Sequence, residues 1–353
     1  MSNCFINGIA SISAQPTTDP DTFLEDLISH KECIFRSHDP NYKEYIKPAA
    51  MRRMSKSVKM GVTAASMALN DSGVEMPDAI ITGTGMGCKQ DSEKFLENIL
   101  NNDEQFLTPT LFIQSTHNTV GGQVALGLGC KAYNVTYVQG AASFENSVMD
   151  AQLMLLEESE NNILVGGIDE VAKNSTLLHK LDGQIKEDDI DVINLLDSNT
   201  PGTVASEGAT FMVLGGKTDK SLAKVVDVET ISEATPDEIK STIEQFILRQ
   251  GLSVGDIDTV ILGNNGDVKY DNYYKNLQSS IFSDIEQLCY KHLIGDYHVA
   301  SSFGFWLGCK VFETNKPPSI LKVNGITAKK YENVLLYNQY LGKNHSIALL
   351  QRC

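Results

Sequence analysis

The sequence runs to 353 residues, 42% of them hydrophobic, with 27 glycines spread along its length. That is enough apolar material for a large core, and the scattered glycines suggest many strand-to-helix turns in one large domain or two intimately packed halves. A formal charge of −16 argues against nucleic acid as a partner, because neutralising phosphates requires a clustered excess of Lys and Arg.

Met1 to Ala10 lack the basic and long apolar regions of a secretion signal, and no apolar run is long enough to span a bilayer. The expectation is therefore a cytoplasmic protein without membrane contact. Residues 5–10 read as an opening strand, and 14–50 as aperiodic loop with a short helix near 22–29. Met51, Met54, Val58, Val62, Ala65 and Leu69 recur at helical spacing, closed by the Asn70-Asp71-Ser72-Gly73 cap signal. Arg52, Arg53, Lys56 and Lys59 make the one strong basic patch of this acidic chain, a candidate partner contact against the simpler reading of a solvated helix face. A strand at 79–82 then runs into Gly83-Thr84-Gly85-Met86-Gly87. No Gly-Lys-Ser/Thr follows and no acidic ribose partner is evident, so this turn is weak evidence for a nucleotide.

Helical periodicity returns at 91–101 and 118–128. The alternating strand Tyr133-Asn134-Val135-Thr136-Tyr137-Val138 leads into the small-residue turn Gln139-Gly140-Ala141-Ala142-Ser143, an amphipathic helix to Leu156, and a strand ending Gly166-Gly167-Ile168-Asp169. Strand, tight turn, helix and second strand form the frame on which many enzymes lift a Ser or Cys to a helix N-terminus. Here the tip is alanine. Residues 170–205 look loop-like, and 208–216 is a strand. A second series follows: strand 223–229, helix 235–250, strand 259–262, helices 269–282 and 304–313, and paired strands 333–338 and 345–350. Each half alternates strands and helices and ends in strands able to pair antiparallel, which argues for an α/β fold of two similar halves. The seven cysteines (4, 33, 88, 130, 289, 309, 353) contain no C-x-x-C pair. Neither a disulfide framework nor a zinc ribbon is signalled, and no metal or cofactor is expected.

Taken together, the opening strand, the 52–69 helix closing in Asp-Ser-Gly, the Gly-x-Gly-x-Gly turn, the elbow unit, Ser206-Glu207-Gly208-Ala209 and the terminal strand pair around Gly342 resemble the β-ketoacyl-(acyl carrier protein) synthases of fatty acid and polyketide biosynthesis. The resemblance implies a thiolase-like fold, with two βαβαβαββ halves (1–218 and 219–353) in a five-layer α-β-α-β-α arrangement. In that family the elbow carries an acyl-accepting Cys. Counting back from Gly166-Gly167-Ile168-Asp169 puts Ala141 at its position. The family's Asn-Ala-His-Gly-Thr reads Gly263-Asn264-Asn265-Gly266-Asp267 here, with Asn265 for the histidine. Its Lys-Ser-x-x-Gly-His-x-x-Gly is read as Ala300-Ser301-Ser302-Phe303-Gly304-Phe305-Trp306-Leu307-Gly308, with Ala300 for Lys and Phe305 for the second histidine. Ala141, Asn265, Phe305 and Ala300 are thus read as vestigial positions. Without a nucleophile the covalent route is gone, and losing one preorganised donor alone costs about 10²–10³ in rate. Asn265 could still donate a hydrogen bond.

Ser143 reads as a helix-turn residue rather than a substitute nucleophile. Inactive subunits paired with polyketide ketosynthases often carry Gln at the cysteine position, but Gln139 lies two residues early. His117 is the histidine nearest a plausible approach to the site, with His298 and His345 weaker candidates, and Cys309 reads as a core cysteine. In the family the Tyr133–Val138 strand pairs with its twin across the dimer, and the Phe106–Phe112 segment approaches the partner's acyl tunnel. This makes Phe106, Leu107, Leu111, Phe112, Tyr133, Val135, Tyr137 and Gln139 the tunnel and interface candidates. The implied role is that of an inactive, chain-length-factor-like partner of an active ketosynthase in type II fatty acid or polyketide, for instance polyene, biosynthesis. Acyl carrier protein would be met directly at the basic patch or through the partner. The rivals are a residual enzyme, such as a malonyl-ACP decarboxylase or a 3-oxoacyl-ACP synthase with altered chemistry, and an acyl-binding homodimeric scaffold.

Overall fold

The computed structural model describes residues 4–105, 107 and 109–353. In chain order its elements are β1 (Phe5–Ile12), α1 (Pro48–Met51), α2 (Lys56–Ser72), β2 (Ala79–Gly83), α3 (Lys89–Asn101), α4 (Pro109–Gln114), α5 (Thr119–Leu128), β3 (Tyr133–Tyr137), α6 (Ser143–Glu157), β4 (Ile163–Asp169), α7 (Lys173–Leu181) and β5 (Gly208–Gly215). The second series is β6 (Ala223–Ser232), α8 (Pro236–Arg249), β7 (Thr259–Leu262), α9 (Asp271–Ser279), β8 (Glu286–Cys289), α10 (Lys291–Ile294), α11 (Ser301–Thr314), β9 (Asn333–Tyr340) and β10 (Asn344–Gln351).

The first five strands lie in the order β3-β2-β4-β5-β1 and the last five in the order β8-β7-β9-β10-β6, so the halves repeat one topology. In each, the strands at the outer end pair parallel and those at the inner end antiparallel. Among the described strands the two sheets join where Phe5-Ile6 meets Ala223-Lys224. α6 and α11 lie between the sheets, and their apolar residues form one core with both. α2 and α5 cover the outer face of the first sheet, and α8 and α9 that of the second. This is the five-layer thiolase-like arrangement. α11 is buried along nearly its whole length and is largely apolar, as a doubly covered helix must be, whereas α6 buries one face and leaves Leu153 and Leu156 exposed. Phe144 of α6 meets Phe305 of α11 edge-on, with ring centroids 5.2 Å apart.

Several local expectations fail. No helix forms at 22–29, and the helix expected from 52 is split, because Pro48 starts the short α1 and the chain turns before α2 begins at Lys56. α7 lies in the stretch read as loop, and β8 is a short polar strand that alternation did not flag. No helix among the described residues is long and apolar enough to cross a membrane.

Gly83, the last residue of β2, lets the elbow close. A Cβ there would lie 2.5 Å from the Ser143 backbone carbonyl. The Gly83→Ala chain should therefore lose about 1–3 kcal/mol of stability in urea unfolding, and unchanged stability would show that the elbow does not depend on this close approach.

Candidate functional site

The elbow has the expected form. β3 leads through Gln139 and Gly140 (φ 58°) into a single 3-10 turn, Gly140–Ala142, and then α6. Ala141 is 4% exposed and offers only a methyl group. Ser143 is committed to the turn: its Oγ accepts from the Gln139 N–H (2.8 Å), and its one proton goes to the Gly140 carbonyl (2.7 Å) or that of Thr84 (3.0 Å). Gln139 is exposed, and its side-chain oxygen accepts from the Asn146 amide.

An open cleft lies between the two halves and is lined by Asp169, Glu170, Asn265, Asp296, His298 and Tyr340 among others. Asn265 follows β7. Its side-chain amide donates to Asp296 Oδ2 (2.7 Å), and its backbone carbonyl accepts from Thr203 Oγ1 (2.7 Å). The other carboxylate oxygen of Asp296 pairs at 2.7 Å with Lys291 Nζ, and both side chains are buried. Gly295 (φ 73°) turns the chain between the pair, and a Cβ there would meet Ser206 at 2.4 Å. His298 stacks on Tyr340 at 4.5 Å and lies against Gly85. Glu145, fully buried on α6 with neither carboxylate oxygen meeting a well-formed hydrogen bond among the described residues, has its carboxyl pushed up by burial, partly offset by the nearby Ser301 and Ser346 hydroxyls and by the Lys291 charge.

Asp169, at the end of β4, ties these pieces together. One oxygen accepts from Thr84 Oγ1 (2.8 Å) and from the N–H groups of Gly85 and Met86 (both 3.0 Å), and the other from the Val299 N–H (3.2 Å). Next to it Glu170 accepts from the Gln90 N–H (2.8 Å) and the Ser57 N–H (3.1 Å). Burial nevertheless pushes its carboxyl up to about 7.

The expected places of Phe305 and Ala300 are corrected. Phe305 is 1% exposed in the second turn of α11, inside the core against Phe144, and Ala300 is the fully buried N-cap of that helix. Neither lines the cleft with Asn265; Asp296 does. The chain enters the cleft before α11 begins, and Lys291-His292-Leu293-Ile294-Gly295-Asp296 has the spacing of Lys-Ser-x-x-Gly-His. Reading the motif nine residues earlier would have found it.

Other candidates separate as well. His298, not His117, borders the cleft; His117 is exposed beside Gly87. His345 is buried against the Tyr337 hydroxyl (3.0 Å), and burial lowers its ring to about 4. Burial raises the Cys309 thiol far above neutrality. Lys56 turns inward to the buried Glu207 (2.6 Å), leaving Arg52 and Arg53 as the exposed members of the basic patch, with Lys59 half-buried. Phe106 lies outside the described residues. Leu107, Leu111, Val135 and Tyr137 are half-buried, while Phe112 and Tyr133 are exposed. Among the described residues no group of three or more His, Cys, Asp or Glu is arranged to hold a metal.

The sequence profile "Beta-ketoacyl synthase, N-terminal domain" matches residues 6–220. No curated protein sequence matches the chain. Among solved structures, the ishigamide ketosynthase/chain length factor superposes with a TM-score of 0.79 at 19% identity, over 99% of both chains. A beta-ketoacyl synthase from Burkholderia phymatum STM815 gives 0.80 at 15% identity over 100% of both chains. The ketosynthase (ApeO) in complex with its chain length factor (ApeC) from Xenorhabdus doucetiae gives 0.76 at 11%, covering 100% of this chain and 98% of that one.

Two measurements test the site's electrostatics. Lys291→Met and Asp296→Asn each strand one partner of a buried pair and should cost about 3–5 kcal/mol. The double variant should cost clearly less than their sum in a double-mutant cycle, and simple additivity would refute the coupling. Because folding raises the Glu170 carboxyl, its contribution is complete below the ordinary carboxylate range and is lost as pH rises through about 7. Relative to Glu170→Gln, the native chain should lose on the order of 3 kcal/mol between about pH 4.5 and 7, and parallel stability curves would contradict this.

Proposed function

The chain belongs to the β-ketoacyl synthase family, and on that premise we propose that it is a catalytically inactive, chain-length-factor-like partner of an active ketosynthase in type II fatty acid or polyketide biosynthesis, shaping the acyl tunnel. The observation that carries this reading is the retained cleft with its reactive groups replaced. Ala141 stands at the tip of an intact elbow, and Asn265 and Asp296, hydrogen-bonded to each other, stand where the family's motifs carry histidines. An alanine forms no thioester. Asp296, whose two carboxylate oxygens are taken by Lys291 and Asn265, offers an acceptor and no donor where malonyl decarboxylation would build an enolate. The hydrogen-bond donation by which the family's histidines lower that barrier is missing there, which speaks against residual decarboxylation.

The first half's free edge supports the partner role. β3 ends the sheet order, so its outer backbone groups are unpaired by the described strands. Large apolar side chains stand exposed on β3 and on the two helices packed beside it: Tyr133 on β3, Leu126 on α5 and Leu153 on α6. An apolar face beside an open edge strand is what an intersubunit sheet needs. The ishigamide and Xenorhabdus doucetiae structures are of ketosynthases with chain length factors, which fits this pairing. Arg52, Arg53 and Lys59 remain the proposed contact for an acyl carrier protein, while the net charge of −16 favours docking chiefly on the partner.

Co-expression with an intact ketosynthase should give a 1:1 mixed dimer by native mass spectrometry. Leu126→Glu with Val138→Glu, both at exposed positions, should weaken it at least about tenfold while the monomer stays folded. A chain that forms only its own homodimer would support the scaffold rival and sink the chain-length role.

A further inference from the structure

A second cavity lies away from the cleft and shares none of its lining. It has a volume of about 330 Å³ and opens between β1, the C-terminal end of α2, the segment around Thr17–Pro20 and α11. Its inner wall is apolar, built by Ile9, Ala10, Met67, Leu222, Trp306 and Cys309. Trp306 is 2% exposed, held by Phe303 and Phe23, and among the described residues no acceptor meets its indole N–H. Two carboxylates, Asp71 and Glu313, and one cation, Lys310, stand at the polar side. Lys310 is already engaged by Glu313 (2.7 Å) and by the Pro20 carbonyl. Asp71 Oδ2 accepts from the Ile9 N–H (2.9 Å). Among the described lining residues the carboxylates therefore outnumber the one cation, and that cation is already engaged.

We propose that this cavity is a binding site for a small uncharged molecule of two-ring size, with an apolar body and one carbonyl or similar acceptor that takes the Trp306 N–H. The volume sets the size, since an apolar cavity of about 150 Å³ accommodates benzene and ordinary ligand sites begin near 300 Å³. The unpaired indole sets the acceptor. The carboxylates exclude anionic ligands, so neither a phosphopantetheine arm nor a free fatty acid belongs here. The site lies on α11 one residue beyond Phe305, yet it does not depend on whether the cleft is catalytic.

Trp306 is the chain's only tryptophan, so its fluorescence reports on this site alone. Camphor, an uncharged bicyclic ketone, serves as the probe, with bornane as the same body lacking the acceptor and camphorsulfonate as the charged analogue. Camphor should change the emission saturably and raise the melting temperature in step with its occupancy. Bornane should bind about tenfold more weakly and camphorsulfonate not saturably. Thr18→Phe and Leu222→Phe, which fill the cavity from two walls, should each abolish the saturable response. A purely linear, collisional quench by camphor would overturn the site. So would equal binding by the sulfonate, or an unchanged response in a folded filled variant.

Discussion

The carboxylate of Asp169 is the tie on which the rest of the site depends. It ends β4 and, through four hydrogen bonds, fixes the Thr84-Gly85-Met86 turn that follows β2 and the Val299 backbone that leads into α11. One buried anion thus holds three segments from both halves, which the join between the sheets, two residues long on each side, could not do. Hydrogen bonds from backbone N–H groups to a buried carboxylate are charge-assisted and strong, and leaving any of those donors unpaired would carry the full cost of its desolvation. The elbow inherits this order, because Ser143 bonds the carbonyl of Thr84.

Around that tie the central polar groups of the cleft are paired with one another, while the Tyr297 hydroxyl is left without a partner among the described residues. Asn265, Asp296 and Lys291 form a buried chain of contacts in which each polar head faces another. A buried ion pair is weak evidence for stability and better understood as fixing one arrangement of its neighbours. In the proposed role this is what the cleft has become: groups that in the family turn towards substrate are here turned towards one another. The acidic lining and the methyl group of Ala141 belong to the same replacement. Glu207 acts similarly nearby, drawing in Lys56 and Arg36 and accepting from the Ser37 and Val171 N–H groups.

Much of the fold was legible because its signals are local. The alternating β3, the small-residue elbow, the Gly-Gly strand and the two terminal antiparallel strands each have a period or turn that propensity alone reveals. What escaped was set by tertiary contact. Lys56 looked like part of a basic face, but the buried Glu207 turns it inward. β8, Glu286 to Cys289, is short and half polar, yet all four residues are buried, so no alternation marked it. The second histidine position was misread for a subtler reason. The Ala300–Gly308 run offers glycines and aromatics at the expected intervals, and that pattern belongs to a helix buried on all sides. Lys291 and Gly295 stand nine residues earlier with the same spacing, and in the proposed reading Asp296 takes the place of the histidine, the motif's most recognisable letter.

The most direct measurement is intact-protein mass spectrometry of this chain mixed with an active ketosynthase and then charged with acyl-carrier protein. The proposed role predicts an acyl adduct on the ketosynthase alone, with the mass of this chain unchanged. A stoichiometric acyl adduct on this chain would mean that a nucleophile acts within it, and would contradict the central claim.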